Sequence, residues 1–218
     1  MSTLAFMTPD ADAGTALARS PMERLAKAAG ARFEPRDGWN VAVSFGDPAV
    51  EQKRLTTTVG VADLSHIRKL ELHGEALASL GLTPGLAEQR DGAWWCPVTP
   101  SRVLRLGGAG VPELPDGVGV VDMTSGLAAL TMIGPLCREL LARFCAIDVR
   151  PTVSPVRSFR PGSVARTPGY LLVEAGDRLT VLVGWALGQY LYEVVADAAE
   201  HLGGGPVGDE AVNGRADA

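Results

Sequence analysis

Val59-Gly60-Val61-Ala62-Asp63-Leu64-Ser65-His66, followed by Lys69-Leu70-Glu71-Leu72-His73-Gly74, returns later in the chain. The second copy reads Val118-Gly119-Val120-Val121-Asp122-Met123-Thr124-Ser125, followed by Ala129-Leu130-Thr131-Met132-Ile133-Gly134. Asp63 maps onto Asp122 at an offset of 59 residues and Gly74 onto Gly134 at 60, so one residue is gained in between. In each copy an Asp with a hydroxyl residue two places on predicts a turn, because a short polar side chain can bond its own backbone two residues ahead. The residues after the turn alternate as a strand, and Gly ends it.

Outward from the second copy, Pro135 opens a helix to Cys145 with Leu136, Leu140 and Phe144 on one face. A proline-rich connector from Pro151 to Pro161 leads to a strand over Gly169 to Glu174. The turn Ala175-Gly176-Asp177-Arg178 sends the chain back as Leu179 to Val183, a hairpin signal. A helix from Ala186 to His201 closes the unit, its buried stripe being Leu187, Leu191, Val194, Val195 and Ala198. The unit therefore reads strand, helix, strand, strand, helix.

The first copy is shorter. Glu75 to Leu80 offers barely two helical turns before Gly81 and Pro84, and Trp94 to Val98 and Arg102 to Leu106 give two strands with no closing helix. The expected fold is α+β, with duplicated strand-helix-strand-strand-helix halves over about 55–110 and 118–202 and the first half shortened. Both halves share one domain, 15–202, since a lone half buries too little surface to stand alone. Ser20-Pro21-Met22-Glu23 starts a short amphipathic helix that stops at Gly30, and Phe33 to Phe45 reads as loop plus edge strand. Residues 1–14 and 203–218, small and polar, are expected to be a flexible N-terminus and a flexible tail.

Composition narrows the classes of partner. The 218 residues are 46% hydrophobic and 21% charged, ordinary values for a globular chain. Twenty Lys plus Arg against 25 Asp plus Glu leave a net charge of -5, and the cations are scattered singly, which argues against nucleic acid. No window reaches the roughly 18 uninterrupted apolar residues of a membrane span. Cys96, Cys137 and Cys145 lack a Cys-x-x-Cys spacing and read as reduced thiols. With no export signal at the start, a cytoplasmic protein is expected.

Side chains that invite a chemical role are few. His66 stands beside Asp63 and Ser65, yet neighbours on one turn do not converge on a reacting atom as a catalytic triad must, so a turn role is expected. His73 and His201 have no ligand partner at metal spacing, and no metal is expected. Gly107-Gly108-Ala109-Gly110 is followed by Pro112 and Pro115 where a phosphate loop would need a helix. Trp94 and Trp95 are adjacent, so on a strand they point to opposite faces: either one is core and the other free to stack on a flat ring, or both are structural. Arg166, Tyr170 and Glu174 border a strand of the second half, either as solvated edge residues or with the carboxylate accepting the paired N–H donors of a pterin-like ring.

These motifs bear a resemblance to a known family. Gly38-Trp39, then Val59 to His66, resembles the opening of the aminomethyltransferase (T-protein) of the glycine cleavage system. Asp122-Met123-Thr124-Ser125 through Gly134-Pro135 looks like that family's second half, and Arg166-Thr167-Pro168-Gly169-Tyr170 with Glu174 is similar to its Arg-Thr-Gly-Tyr-Thr-Gly-Glu segment, with altered spacing. Gly205-Pro206-Val207-Gly208 resembles the Pro-Cys-Gly stretch before the family's next domain. The resemblance covers about residues 20–210, the family's folate-binding domain in shortened form, and in size it is also similar to the gamma subunit of heterotetrameric sarcosine oxidase.

The resemblance implies tetrahydrofolate as cofactor, held by Trp94, Trp95, Arg166, Tyr170 and Glu174. It implies an accessory subunit working with a larger oxidoreductase or transferase subunit. Alternatives are a compact stand-alone aminomethyl- or methyltransferase and a folate-free structural descendant. One departure bears on activity: where the family carries an acidic pair in the first-half hairpin, this chain reads Cys96-Pro97-Val98-Thr99-Pro100-Ser101-Arg102, with no acid. The catalytic group is therefore left unassigned.

Overall fold

A computed structural model describes residues 16–216. The expected flexible N-terminus, 1–14, lies outside them. Strand β1 (Ala18–Arg19) leads to helix α1 (Glu23–Ala28), whose first turn is tied by Met22 N–H donating to Ser20 Oγ at 3.0 Å. Strands β2 (Arg32–Arg36) and β3 (Trp39–Ser44) then form a hairpin, and β1 pairs parallel to β3. The turn residues Asp37 and Gly38 have φ of +48° and +79°, the left-handed pair that a tight hairpin demands. This corrects the reading of Phe33 to Phe45 as loop plus one edge strand. Helix α2 (Pro48–Thr57), capped by Asp47 accepting from Ala49 N–H at 2.8 Å, follows.

Two larger sheets make up the rest. One contains β5 (Lys69–His73), β6 (Glu88–Arg90), β7 (Ala93–Thr99), β8 (Arg102–Gly107) and β9 (Gly119–Asp122), in the order β6-β7-β8-β5-β9. The other contains β4 (Gly60–Asp63), β10 (Leu127–Ile133), β11 (Phe159–Val164), β12 (Thr167–Ala175), β13 (Arg178–Gly184) and β14 (Gly205–Pro206), in the order β11-β12-β13-β10-β4-β14. Helices α3 (Cys137–Ala142) and α4 (Gly188–Glu200) contribute to the apolar cluster of the second sheet. Glu75–Leu80 is a 3-10 helix, and β11 occupies the end of the segment that composition marks as a connector.

Each of the strands β4 and β9 pairs in the sheet of the other repeat: β4 with β10, β9 with β5. The turns that follow them bond across in matching fashion. Leu64 N–H donates to Ala129 O at 2.9 Å, and Met123 N–H to Lys69 O at 2.8 Å. Ala129 N–H donates to Ser65 Oγ at 3.2 Å, and Lys69 N–H to Thr124 Oγ1 at 3.1 Å. Both Asp turns form as their sequences predict, with Asp63 Oδ1 accepting from Ser65 N–H and Asp122 Oδ1 from Thr124 N–H, each at 2.8 Å. Between the turns lies the fully buried Lys69, whose Nζ donates to Ser65 O at 2.8 Å, Ile67 O at 2.9 Å and Thr124 O at 3.2 Å.

Alternation along the strands assigns their side chains to distinct layers. Leu171 and Val173 of β12 join Val181, Leu140, Leu191 and Val195 in the largest cluster. Leu172, Leu182, Cys96, Leu104 and Phe159 fill a second layer that includes residues of both large sheets. Each such fully buried aliphatic side chain is worth about 1.5–3 kcal/mol. The buried stripe of α4 is Leu191, Tyr192, Val195 and Ala199, with Leu187, Val194 and Ala198 partly buried beside it.

The expected loose tail is structured over its described residues. β14 pairs parallel to β4, and helix α5 (Asp209–Ala216) places Ala211 and Val212 against Leu55, Ala62 and Ile133. Gly208 makes this seat: a Cβ there would stand 2.0 Å from Val43 O. Among the described residues no helix is long and apolar enough to cross a membrane.

Candidate functional site

Where the C-terminal end of β12 approaches the start of β7, a cavity of about 490 Å³ opens beside the packed inter-sheet layer. Leu64, Ile67, Trp94, Leu106 and Leu172 supply apolar lining; Arg36, His66, Glu174, Arg178, Thr180 and Asp209 supply the polar groups. A wider cleft of about 790 Å³ adjoins it, sharing Asp37, His66, Ile67 and Gly107 and adding Trp39, Arg68 and the Gly108 to Gly110 loop.

Glu174 is positioned by an irregularity of the sheet. The β12–β13 ladder pairs Val173 with Leu179 and Ala175 with Arg178, leaving Glu174 as the bulged residue. Bulges re-aim side chains, and this one sits at the end of the face carrying Tyr170 and Leu172. The Glu174 carboxylate accepts from Thr180 Oγ1 and lies 3.2 Å from Arg178 Nε. A carboxylate has about four acceptor sites, so capacity remains for further donors. Its charge also helps burial push the Cys96 thiol well above its usual range.

Of the residues expected to hold a cofactor, the structure brings Trp94 and Glu174 into this cavity. Trp95, one residue on, faces the opposite side of β7: it is 4% exposed among Leu70, Leu72, Leu77 and Val103, with the Arg105 guanidinium 5.9 Å from its ring. Tyr170 shares a strand face with Glu174 but lies four residues away, roughly 13 Å along an extended chain. Its ring stacks on Phe159 at 5.3 Å, its hydroxyl accepts from Arg102 Nη2 at 3.3 Å, and it lines a separate cleft with Pro161 and Pro168. Arg166 occupies the tight turn between β11 and β12 at φ +61°, exposed and away from the cavity.

His66 stands in the turn its sequence predicts, closed by Ile67 N–H donating to Leu64 O at 3.1 Å. Asp63 and Ser65 are engaged elsewhere, with Ser20 and Ala129 respectively, while the imidazole lines both openings. Its Nε2 is 4.0 Å from Asp209 Oδ1. Asp209 is held in turn by Arg36 Nη1 and by Asn213 Nδ2 at 2.9 Å. Burial pushes the His66 imidazole below its usual 6.5, against the pull of Asp209 and Asp63 and with help from Lys69 and Arg36. Nothing local to residues 203–218 announced Asp209 as a partner; its position depends on the long-range seat of α5. Among the described residues no group of three or more His, Cys, Asp or Glu is arranged to hold a metal. The thiols of Cys96, Cys137 and Cys145 are free, and burial raises all three.

No family model matches the chain. Among curated proteins it is similar to an aminomethyltransferase of Thermosynechococcus vestitus, 26% identical over 84% of this chain and 57% of the relative. An aminomethyltransferase of Picosynechococcus sp. is 46% identical over 28% of this chain and 17% of the relative. The chain thus spans under two thirds of either curated relative. Among solved structures, a chain of the heterotetrameric sarcosine oxidase of Corynebacterium sp. superposes with a TM-score of 0.64 at 19% identity, over 85% of this chain and 96% of that one. The glycine cleavage system aminomethyltransferase T of Bartonella henselae superposes with a TM-score of 0.69 at 16% identity, over 89% of this chain and 60% of that one. The α+β architecture is the one these structures share.

Proposed function

We propose that this glycine cleavage T-protein-like domain binds tetrahydrofolate in the cavity between Trp94 and Glu174 and serves one-carbon transfer as a subunit of a larger assembly. The observation that carries the reading is the pairing of the Trp94 indole with the bulge-presented Glu174 carboxylate in one cavity, beside the apolar side chains of Leu64, Leu106 and Leu172. That donor set fits a reduced pteridine: Trp94 offers a flat face for the ring, Glu174 has acceptor capacity for its paired N–H groups, and Leu64, Leu106 and Leu172 exclude water. When bound, the cofactor would supply the nucleophilic amine nitrogens that accept a one-carbon unit. The matching strand order of the two large sheets, with β4 and β9 crossing between them, supports a duplicated architecture.

The subunit role draws on size. The chain matches nearly the whole of one chain of a heterotetrameric oxidase, 96% of it, over 85% of its own length. On this reading the protein is an accessory component of a demethylating oxidase or transferase.

Calorimetric and fluorescence titration with tetrahydrofolate tests the binding step. One site per chain with a micromolar constant is expected, along with quenching of indole emission. Glu174→Gln should weaken binding about 10- to 100-fold, the value of a charge-assisted pair of hydrogen bonds. Trp94→Leu should weaken it about tenfold and remove most of the quenching. No heat and no quenching at millimolar ligand would reject the proposal.

A further inference from the structure

We infer that His66, oriented by Asp209, is the proton-accepting group of this cavity and stands in for the acidic pair absent from the first-half hairpin. The inference rests on the tetrahydrofolate reading and extends it to a catalytic residue. It begins from geometry: the imidazole lines both the ring-sized cavity and the wider cleft, so it stands where one bound molecule could meet another. Asp209 faces its Nε2 at 4.0 Å and is itself fixed by Arg36 and Asn213. A carboxylate on that side favours the tautomer with the proton on Nε2, leaving the Nδ1 lone pair as acceptor. The side chain is 22% exposed, enough to exchange protons with solvent.

The proton balance is simple. As a ligand amine nitrogen bonds to the carbon of a one-carbon electrophile such as formaldehyde, its N–H proton passes to Nδ1. The C=O π electrons move to oxygen, and the imidazolium hands the proton to that oxygen. His66 is suited to this at neutral pH because its lowered pKa keeps it unprotonated there. The charged groups that bear on it are Asp209 of α5, Arg36 of β2, Asp63 of β4 and Lys69 of β5. Asp37, Arg68 and Asp122 line the adjoining cleft, and Glu174 and Arg178 the cavity.

The test combines spectroscopy with rate. In protein carrying ¹⁵N-labelled histidine, His66→Gln identifies the His66 signals among the three histidines. The wild-type signals absent from the variant should report an Nε2–H tautomer titrating below 6.5, and saturating tetrahydrofolate should shift that titration. Condensation of formaldehyde with bound tetrahydrofolate should slow about 100-fold in His66→Gln, with the dissociation constant within threefold of wild type. The acidic limb of the pH–rate profile should vanish as well. Asp209→Asn should mix the tautomers and give an intermediate rate. A His66 titration unmoved by ligand, or a His66→Gln rate and profile equal to wild type, overturns the inference while leaving binding intact. Failure of wild type to bind tetrahydrofolate at all overturns the underlying reading with it.

Discussion

Replacing Glu51 with alanine is expected to cost about 3–5 kcal/mol of stability and to release α5 from the body of the domain. Glu51 is 2% exposed, and none of its three partners is a cation. Its Oε1 accepts from Ser44 Oγ and Phe45 N–H, both at 2.7 Å, and its Oε2 from Gly208 N–H at 2.6 Å. One carboxylate thereby ties the end of β3 and the start of α5 to α2. Truncation would leave those donors without an acceptor, and each buried donor so stranded costs about 1–3 kcal/mol. Glu51→Gln, which keeps one acceptor but turns an amide N–H₂ toward a donor, should cost about 2 kcal/mol. Urea denaturation reads the stability, and proteolysis within α5 reads its release. Since Asp209 opens α5, the His66 titration should also move in Glu51→Ala. An alanine variant as stable as wild type would show that the seat of α5 does not depend on this carboxylate.

The second large effect concerns Lys69, whose ammonium is buried among three backbone carbonyls. Burial pushes its pKa down from 10.5 to about 8, with Asp63 and Asp122 opposing the shift. In the unfolded chain the amine keeps its proton to about 10.4. Between about pH 8 and 10.4 the unfolded state therefore binds more protons, so this group makes stability rise with pH across that window. The contribution is complete above the window and lost below about 8. A shift of this size corresponds to about 3 kcal/mol. Lys69→Met should flatten that rise, as measured by denaturation at several pH values. At pH 7 the variant should also lose about 2–3 kcal/mol, because three convergent carbonyls lose their donor. A wild type whose stability shows no more alkaline rise than Lys69→Met would refute this assignment.

What could be seen in the sequence was local. The Asp63-x-Ser65 and Asp122-x-Thr124 turns form as read, because the bond that makes each one spans two residues. The β12–β13 hairpin and the opposite facing of Trp94 and Trp95 follow equally from short-range rules. Which tryptophan meets the cavity depends on how the two sheets pack, and pattern alone could not choose. Tyr170 and Glu174 share a face, but the cavity takes only the far end of that strand. α5 was not legible because Ala211 and Val212 alone make too short an apolar pattern, and its seat depends also on the bond between Gly208 and Glu51, 157 residues apart. Asp37-Gly38 carries its own tight-turn signal, an Asp-Gly pair with both residues at positive φ.

The crossing of β4 and β9 has a topological consequence. Cutting the chain in the loop between β8 and β9 would yield two pieces, each holding one strand that belongs to the other and each missing one it needs. Neither piece could complete its sheet alone, and the open slots would favour mutual recapture over independent folding. Interlocked in this way, the molecule behaves as two partners that cannot dissociate, and a ligand held between them would be gripped by elements that have no separate existence.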